Sequence, residues 1–484
     1  MTEYHQFARR IGLIGATNFL ISLSGLILLP ILTKTLPIEE YGTYIQITVT
    51  IGLVPGVVML GLPYTMVRFL AATKSREEIQ EVYYSIVGVT VVTAGLAALA
   101  LFVLAEPIAA ALFDNRVAIT RILAAIVFLE CMNGLQYNYF RTFQQIKRYS
   151  SLTFFKTGLQ LVLVGALVLA GYGILGATIG LLVTDLVLLI VMSIFILSEI
   201  GVAVPKFRHL REYLSFGLPT VPGNLSSWVV NSSDRYIIAL FLGTAYVGYY
   251  SPGYTLGNMV NMFIAPISFM LPAVLSKHYD EGKLNDVKTV LSYSMKYFLA
   301  LAIPSVVGLS LLSKPLLTIL STPEIAAQGY LITPFLALSG LLFGTFAIIS
   351  EILVLEKKTT ITGTIWIVAA VLNLGLNIIF VPIFGIIGAA ATTLLAFFLA
   401  FVLSTYYSFK YLVFDVNAAF ILKCIVASAI TGVVVVIGGS RMSGGLVSVI
   451  LLVIISALVY GAGLLIFRGF KREEIHFFRD LLRI

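Results

Sequence analysis

The sequence predicts an all-α integral membrane protein of fourteen transmembrane helices: two pseudo-symmetric six-helix lobes followed by two extra C-terminal helices. Composition, the uneven placement of positive charge and an internal repeat carry that reading. Apolar residues fill 59% of the 484 positions and charged residues only 11%, with a mean hydropathy of +1.01. Soluble domains average about 45–50% apolar and about 25% charged. A crossing helix needs about 20 mostly apolar residues, so fourteen crossings use nearly the whole apolar supply. A soluble enzyme on a single anchor, a disordered chain and a disulfide scaffold are all excluded.

Apolar runs bounded by charge, Pro and Gly clusters place the first seven spans near 11–32, 43–67, 83–105, 117–140, 152–171, 174–197 and 217–242. Seven more follow near 250–275, 293–313, 329–354, 361–381, 386–408, 420–437 and 446–467. Arg9 and Arg10 precede the first run as they would a signal peptide, but that run is too long and has no small-residue cleavage site. It is expected to stay in the chain. Pro55, Pro63, Pro219, Pro222, Pro266 and Pro272 cluster in spans two, seven and eight. Proline removes a donor and bends a helix, which suits a moving gate and a static kink equally. The pairs Gly52/Gly56, Gly176/Gly180, Gly253/Gly257 and Gly340/Gly344 fit G-x-x-x-G and are read as helix-packing sites.

Basic residues orient the spans. One set of connections holds Arg9 and Arg10, Arg68 to Arg76, Arg141 to Arg148, Lys206 to Arg211, Lys277 to Lys296, Lys357 and Lys358, Lys410, and the tail from Arg468. The opposite set holds Lys34, Arg116, Lys314 and Arg441. The positive-inside bias puts both termini in the cytoplasm of a multi-pass cell-membrane protein. The net charge of +8 is thus an orientation signal, and no nucleic-acid partner is expected. Cys131 and Cys424 lie in separate apolar stretches and are read as packed thiols. All four histidines fall in polar connections or tails, so neither a metal site nor a histidine relay is expected, and no cofactor. The sequence contains no phosphate-binding G-x-x-x-x-G-K-[ST] loop.

The chain also repeats itself. Gly173-Ile174-Leu175-Gly176-Ala177 recurs as Gly385-Ile386-Ile387-Gly388-Ala389, and Tyr41-Gly42-Thr43-Tyr44 resembles Val247-Gly248-Tyr249-Tyr250, each at an offset of about 210 residues. An even number of helices per copy makes the repeats parallel, a design that favours alternating access around a central cavity. The expected organisation is an N-lobe at 1–210, a C-lobe at 211–414, additional spans at 415–467 and a basic cytoplasmic tail at 468–484.

The stretch from Asn373 through Asn377, Pro382, Gly385 and Gly388 to Thr392 resembles a motif of the polysaccharide and O-antigen flippases. These belong to the multidrug/oligosaccharidyl-lipid/polysaccharide exporter superfamily. Asp234-Arg235, Leu242-Gly243, Val247-Gly248-Tyr249-Tyr250, and Leu271-Pro272 with Ser276-Lys277 resemble further elements of the same family. The resemblance implies a protein that is no enzyme. It implies a flippase moving a polyprenyl-pyrophosphate-linked oligosaccharide from the cytoplasmic to the outer leaflet for surface polysaccharide synthesis. Its partners would be that lipid-linked glycan and the bilayer, with glycan polymerases or glycosyltransferases as candidate companions.

Candidate site residues come from polar faces inside apolar spans. Asn224, Ser227, Trp228, Asn231, Asp234 and Arg235 share one face of span seven. A charge at mid-membrane costs about 2.5–3.5 kcal/mol even on a permissive scale, so this face meets either a hydrated cavity or a partner helix. Asn258 and Asn261 in span eight and Asn18 in span one extend the theme, with interhelical hydrogen bonding as the alternative. Arg68 and Lys156 lie near the mouths of spans two and five. Glu130 and Asp185 are the candidate ion-coupling groups; Asp185 either accepts a proton or neutralises Lys156. Arginine, asparagine and aromatic side chains suit a pyrophosphate-linked glycan, whereas an ion-coupled drug or cation exporter, the competing function, wants carboxylates free of cationic competition. Arg235 is expected to bind the pyrophosphate when the cavity opens outward, with Asp234 or a neighbouring helix tempering its charge, and spans 13 and 14 either flank a groove for the lipid tail or brace a lobe.

Overall fold

The computed structural model describes residues 24–71, 73, 75–441 and 445–470. Among these the regular structure is entirely helical. The helices in chain order are α1 Ser24–Thr35, α2 Ile38–Val58, α3 Leu62–Leu70, α4 Arg76–Val103, α5 Ala105–Leu112, α6 Val117–Thr142, α7 Ile146–Leu167, α8 Gly173–Ile200, α9 Leu210–Gly217 and α10 Val221–Leu242. Then come α11 Thr244–Asn258, α12 Ile264–Asp280, α13 Leu284–Leu311, α14 Ser313–Leu320, α15 Pro323–Gly329, α16 Ile332–Leu355, α17 Thr359–Ser408, α18 Ala418–Arg441 and α19 Leu446–Ile466. Among the described residues, ten helices are long and apolar enough to cross a membrane. The chain is a multi-pass membrane protein. Most of the first predicted span, Asn18 included, lies outside the described residues, as does the basic tail beyond Phe470.

Two of those ten helical stretches, Ile146–Ile200 and Thr359–Ser408, run to 55 and 50 residues. At about 1.5 Å per residue each is far longer than an apolar layer about 30 Å thick, and each breaks at the repeated glycine motif. Gly173 has φ 57° and ψ −148°; Gly385 has φ 63° and ψ −147°. Only glycine occupies that region without strain, so the sequence repeat is a conformational repeat as well. After Gly173 the chain reverses. Gly180 lies against Val164 and Gly176 against Leu167, making α7 and α8 an antiparallel hairpin. α10 is 22 residues long but less apolar than these, because its polar stripe lowers its hydropathy.

By packing the chain forms two units. Among the described residues, one comprises those through Ser251 with Trp366–Ala389; the other comprises Pro252–Ile365 and those from Ala390. This division follows contacts, whereas the expected lobes follow sequence repetition. In the first unit α6 is the central helix. Its Cys131, Leu135, Tyr139 and Phe140 share one core with Met66 of α3, Ile86 of α4 and Met192 of α8. α2 joins α11 through a reciprocal contact. A Cβ on Gly42 would collide with the Thr244 carbonyl, and one on Gly248 would collide with Ile38. The two Tyr/Val-Gly motifs of the repeat thus close on each other, copy against copy.

In the second unit α13 is central, with Met295 and Phe298 packed against Ile348 and Ile352 of α16. Gly344 lies against Phe298, and Gly253 and Gly257 lie against Gly329, Thr333 and Leu336, so these glycines serve packing as the sequence suggested. Gly56 departs from that pattern, since no atom lies within 4 Å of a Cβ placed there. The two C-terminal helices brace this unit. Phe420, Cys424 and Ala427 of α18 share a core with Ala300 and Leu464, and the Tyr460 hydroxyl donates to the Ala300 carbonyl at 2.7 Å. Cys131 and Cys424 are both buried free thiols.

Candidate substrate-binding site

The polar face of α10 runs along α2 and looks across to α3 at one end, and the structure divides it into a buried part and an open part. At the buried end, Gln46 donates to the Arg235 carbonyl at 2.6 Å and the Thr50 and Tyr236 hydroxyls bond at 2.6 Å. The Trp228 ring stacks obliquely on Tyr236, with centroids 5.7 Å apart, and faces Gly52. Trp228 therefore works in the helix pairing.

Asp234 and Arg235 also lie in this buried part. Their side chains are 1% and 8% exposed and form an ion pair at 2.9 Å. The guanidinium also donates to the Asn231 carbonyl at 2.7 Å and lies over the Tyr250 ring at 5.6 Å. The Tyr250 hydroxyl donates to the other Asp234 oxygen. Asn231 turns its amide back to Ser227, 2.8 Å away. In this structure the arginine expected to meet substrate is closed off and neutralised, and the pair joins α10 to α11.

The open part of the stripe is a cavity of about 520 Å³. Asn224 of α10 meets Arg68 and Tyr64 of α3, Asn138 and Arg141 of α6, Phe216 of α9, and Pro55, Gly56 and Pro63 around the α2–α3 bend. The Tyr64 hydroxyl donates to Asn224 Oδ1 at 3.2 Å. The bend follows from local sequence: Pro55 interrupts α2, Gly61 takes a left-handed φ of 70°, and Pro63 opens α3. Without Gly61 the turn could not approach Gly217, whose carbonyl a Cβ at Gly61 would strike. Gly56, bare of neighbours, leaves the cavity its width. Arg68 and Arg141 are both exposed, and among the described lining residues no carboxylate occurs. Two guanidinium groups, two carboxamides and two aromatic rings can bind an anion by paired charge-assisted hydrogen bonds and hold a ring beside it.

Of the predicted residues, Arg68 and Asn224 thus come together in this cavity, and Asp234, Arg235, Asn231 and Trp228 come together beneath it in packed surroundings. Asn258 and Asn261 pair with each other at 2.6 Å in the second unit. Glu130 and Asp185 converge on Lys156, at 2.6 and 3.1 Å. Arg141, Asn138, Tyr64 and Phe216 are cavity residues that the sequence did not single out as ligands. Arg141 shares a polar register of its helix with Glu130, Asn133 and Tyr137. Tyr64 and Phe216 gave no signal beyond being aromatic.

Residues 31–324 match the profile of a family described as polysaccharide biosynthesis protein. The chain belongs to that family. Among similar proteins of Haloferax volcanii, "Probable low-salt glycan biosynthesis flippase Agl15" is 23% identical over 295 residues, covering 60% of this chain and 61% of that one. "Probable flippase AglR" is 27% identical over 255 residues, covering 51% and 52%. The chain thus spans less than two thirds of either relative. Among solved structures, lipid II flippase MurJ in an inward closed conformation superposes with a TM-score of 0.77 at 20% identity, over 96% of this chain and 99% of that one. An inward-facing multidrug-resistance MATE transporter gives 0.67 at 15% identity, over 81% and 94%. At these identities the likeness establishes a shared all-helical transporter fold.

Proposed function

We propose that this family member is a flippase that carries a lipid-linked oligosaccharide, held by its pyrophosphate, from the cytoplasmic to the outer leaflet. The single observation carrying this reading is the cavity that gathers Arg68 and Arg141 with Asn138, Asn224 and Tyr64 and has no carboxylate among its described lining residues. Its chemistry suits an anionic headgroup bearing sugars. It is poorly suited to an organic cation, which would meet two guanidinium groups at the entrance, and this weighs against the drug-exporter alternative. Family membership and the flippase relatives support the same choice. With fourteen crossings, the positive-inside bias favours both termini in the cytoplasm and Arg68 and Arg141 at the cytoplasmic mouth, where such a substrate is made. Substrate enters there, the helices rearrange around it, and it leaves on the opposite side.

The binding step can be measured on the purified protein. A polyprenyl-pyrophosphate-linked sugar is expected to bind wild type and to be displaced by inorganic pyrophosphate. Arg68→Ala and Arg141→Ala are each expected to weaken binding about tenfold or more, because a charge-assisted hydrogen bond contributes about 1.5–3 kcal/mol. Equal affinity of wild type and the double variant would remove this cavity from the substrate path.

A further inference from the structure

We infer that α6, α7 and α8 hold a site for one exchangeable proton, built from Glu130, Lys156 and Asp185, in which the lysine occupies the place that a metal cation would otherwise take. Glu130 Oε2 and Asp185 Oδ1 stand 2.6 and 3.1 Å from the one Lys156 ammonium. Two carboxylates around one ammonium leave a net charge of −1. The Asp185 side chain is 5% exposed, against 24% for Glu130 and 21% for Lys156. Uncompensated charge in an apolar layer is costly, and one added proton cancels it. Glu130, the more exposed carboxylate, is the point of entry, and Asp185 is the protected end.

A second, independent observation points to that proton. Asn133 is fully buried. Its amide nitrogen donates to the Asp185 carbonyl at 3.0 Å and faces Asp185 Oδ1 at 3.4 Å, which fixes the orientation of the carboxamide. Its oxygen Oδ1 has no hydrogen-bond partner. A buried acceptor without a donor is disfavoured, so the polar groups around Asp185 are one donor short.

On the neighbouring elements, the groups around the triad are neutral or engaged elsewhere. From α6, Tyr137 lies in the field of Lys156 and Glu130, and Cys131 in that of Glu130. From α7 comes the neutral Gln160, which Tyr44 of α2 approaches. Glu40 of α2 is engaged by Arg116, and Glu81 of α4 by the Lys206 backbone. The ammonium between the carboxylates excludes sodium by position and charge, and among the described residues no acidic, His or Cys cluster fit for a metal ion occurs. This inference supplies the ion for the proposed flippase, yet it can be tested without any glycan.

The test uses the purified full-length protein in lipid nanodiscs, read by infrared difference spectroscopy between mildly acidic and mildly alkaline buffer. With Glu351→Gln as the common background, because α16 carries this further half-buried carboxyl, the wild-type triad is expected to show the C=O band of a protonated carboxyl that disappears on alkalinisation. Glu130→Gln and Asp185→Asn each leave a neutral lysine–carboxylate pair, so both are expected to lose the band while melting no lower than wild type in alkaline buffer. Lys156→Met leaves two facing carboxylates and is expected to melt lower than wild type in alkaline buffer, recovering only in part when Glu130→Gln leaves one of them. Sodium added at constant ionic strength is expected to change neither band nor melting. A band that survives in both carboxamide variants, no band in wild type, or stabilisation by sodium would each overturn the inference. None of these results depends on whether the cavity binds a pyrophosphate-linked sugar.

Discussion

The Asp234–Arg235 pair is buried in this structure, and its energetics can be worked out group by group. Asp234→Asn removes the negative charge from a site 1% exposed and takes the Asp234 counter-charge from the guanidinium, 8% exposed. Breaking a buried pair by removing one partner costs about 3–5 kcal/mol. Replacing both partners, in Asp234→Leu with Arg235→Met, removes the uncompensated charge but strands the Tyr250 hydroxyl, which donates to Asp234; an orphaned buried donor costs about 1–3 kcal/mol. Adding Tyr250→Phe removes that donor too, and the triple variant is expected within about 1 kcal/mol of wild type. The expected order of stability is therefore single, double, triple, rising as more is removed. Thermal unfolding of the purified variants in one detergent, followed by tryptophan fluorescence, measures it. An Asp234→Asn protein as stable as wild type, or a triple variant weaker than the single, would refute the claim that this pair is a neutralised joint between α10 and α11. The same reasoning means that an export defect in Arg235→Ala reports lost folding before it reports lost substrate contact.

Two further outcomes follow from the glycines. Gly42→Ala and Gly248→Ala each drive a methyl into the facing copy's backbone region and are expected to cost about 1–3 kcal/mol in an unfolding titration; the double variant is expected to cost less than their sum, because both open the same contact. Gly385→Ala meets no neighbour within 4 Å and is expected to show backbone strain alone, about 1–3 kcal/mol. Gly173→Ala is expected to cost more, since its Cβ would displace the Glu40 carboxylate that accepts from the Ile174 amide at 2.9 Å and pairs with Arg116 at 3.2 Å.

Apolar run length and glycine placement made the helices legible in the sequence, because in an apolar layer every backbone group must be satisfied within its own segment. The G-[IL]-[IL]-G-A turn was legible for the same reason, as only glycine accepts the dihedrals found at Gly173 and Gly385. The polar stripe of α10 was legible as a stripe, but its fate was not. Periodicity shows that Asn224 and Arg235 share a face. It does not show that α2 supplies Gln46 and Thr50 against one end while the bend at Gly61 pulls α3 away from the other and leaves a cavity. Arg141 was missed as a ligand because its helix reaches the cavity only through the packing of α6 on α3. Lys156 shows the opposite case. A lone lysine and two carboxylates in neighbouring spans have few ways to lower their burial cost, so pairing was foreseeable from charge alone.

The central claim is that the Arg68–Arg141 cavity takes a lipid-linked glycan across the membrane. The direct measurement reconstitutes the purified protein into lipid vesicles that carry a fluorescent polyprenyl-pyrophosphate-linked oligosaccharide and follows its accessibility to a membrane-impermeant quencher. Wild type is expected to make the inner-leaflet pool accessible, and Arg68→Ala with Arg141→Ala to lose that movement while remaining folded and inserted. Movement at the wild-type rate in the double variant, or no movement by wild type in either vesicle orientation, would contradict the account.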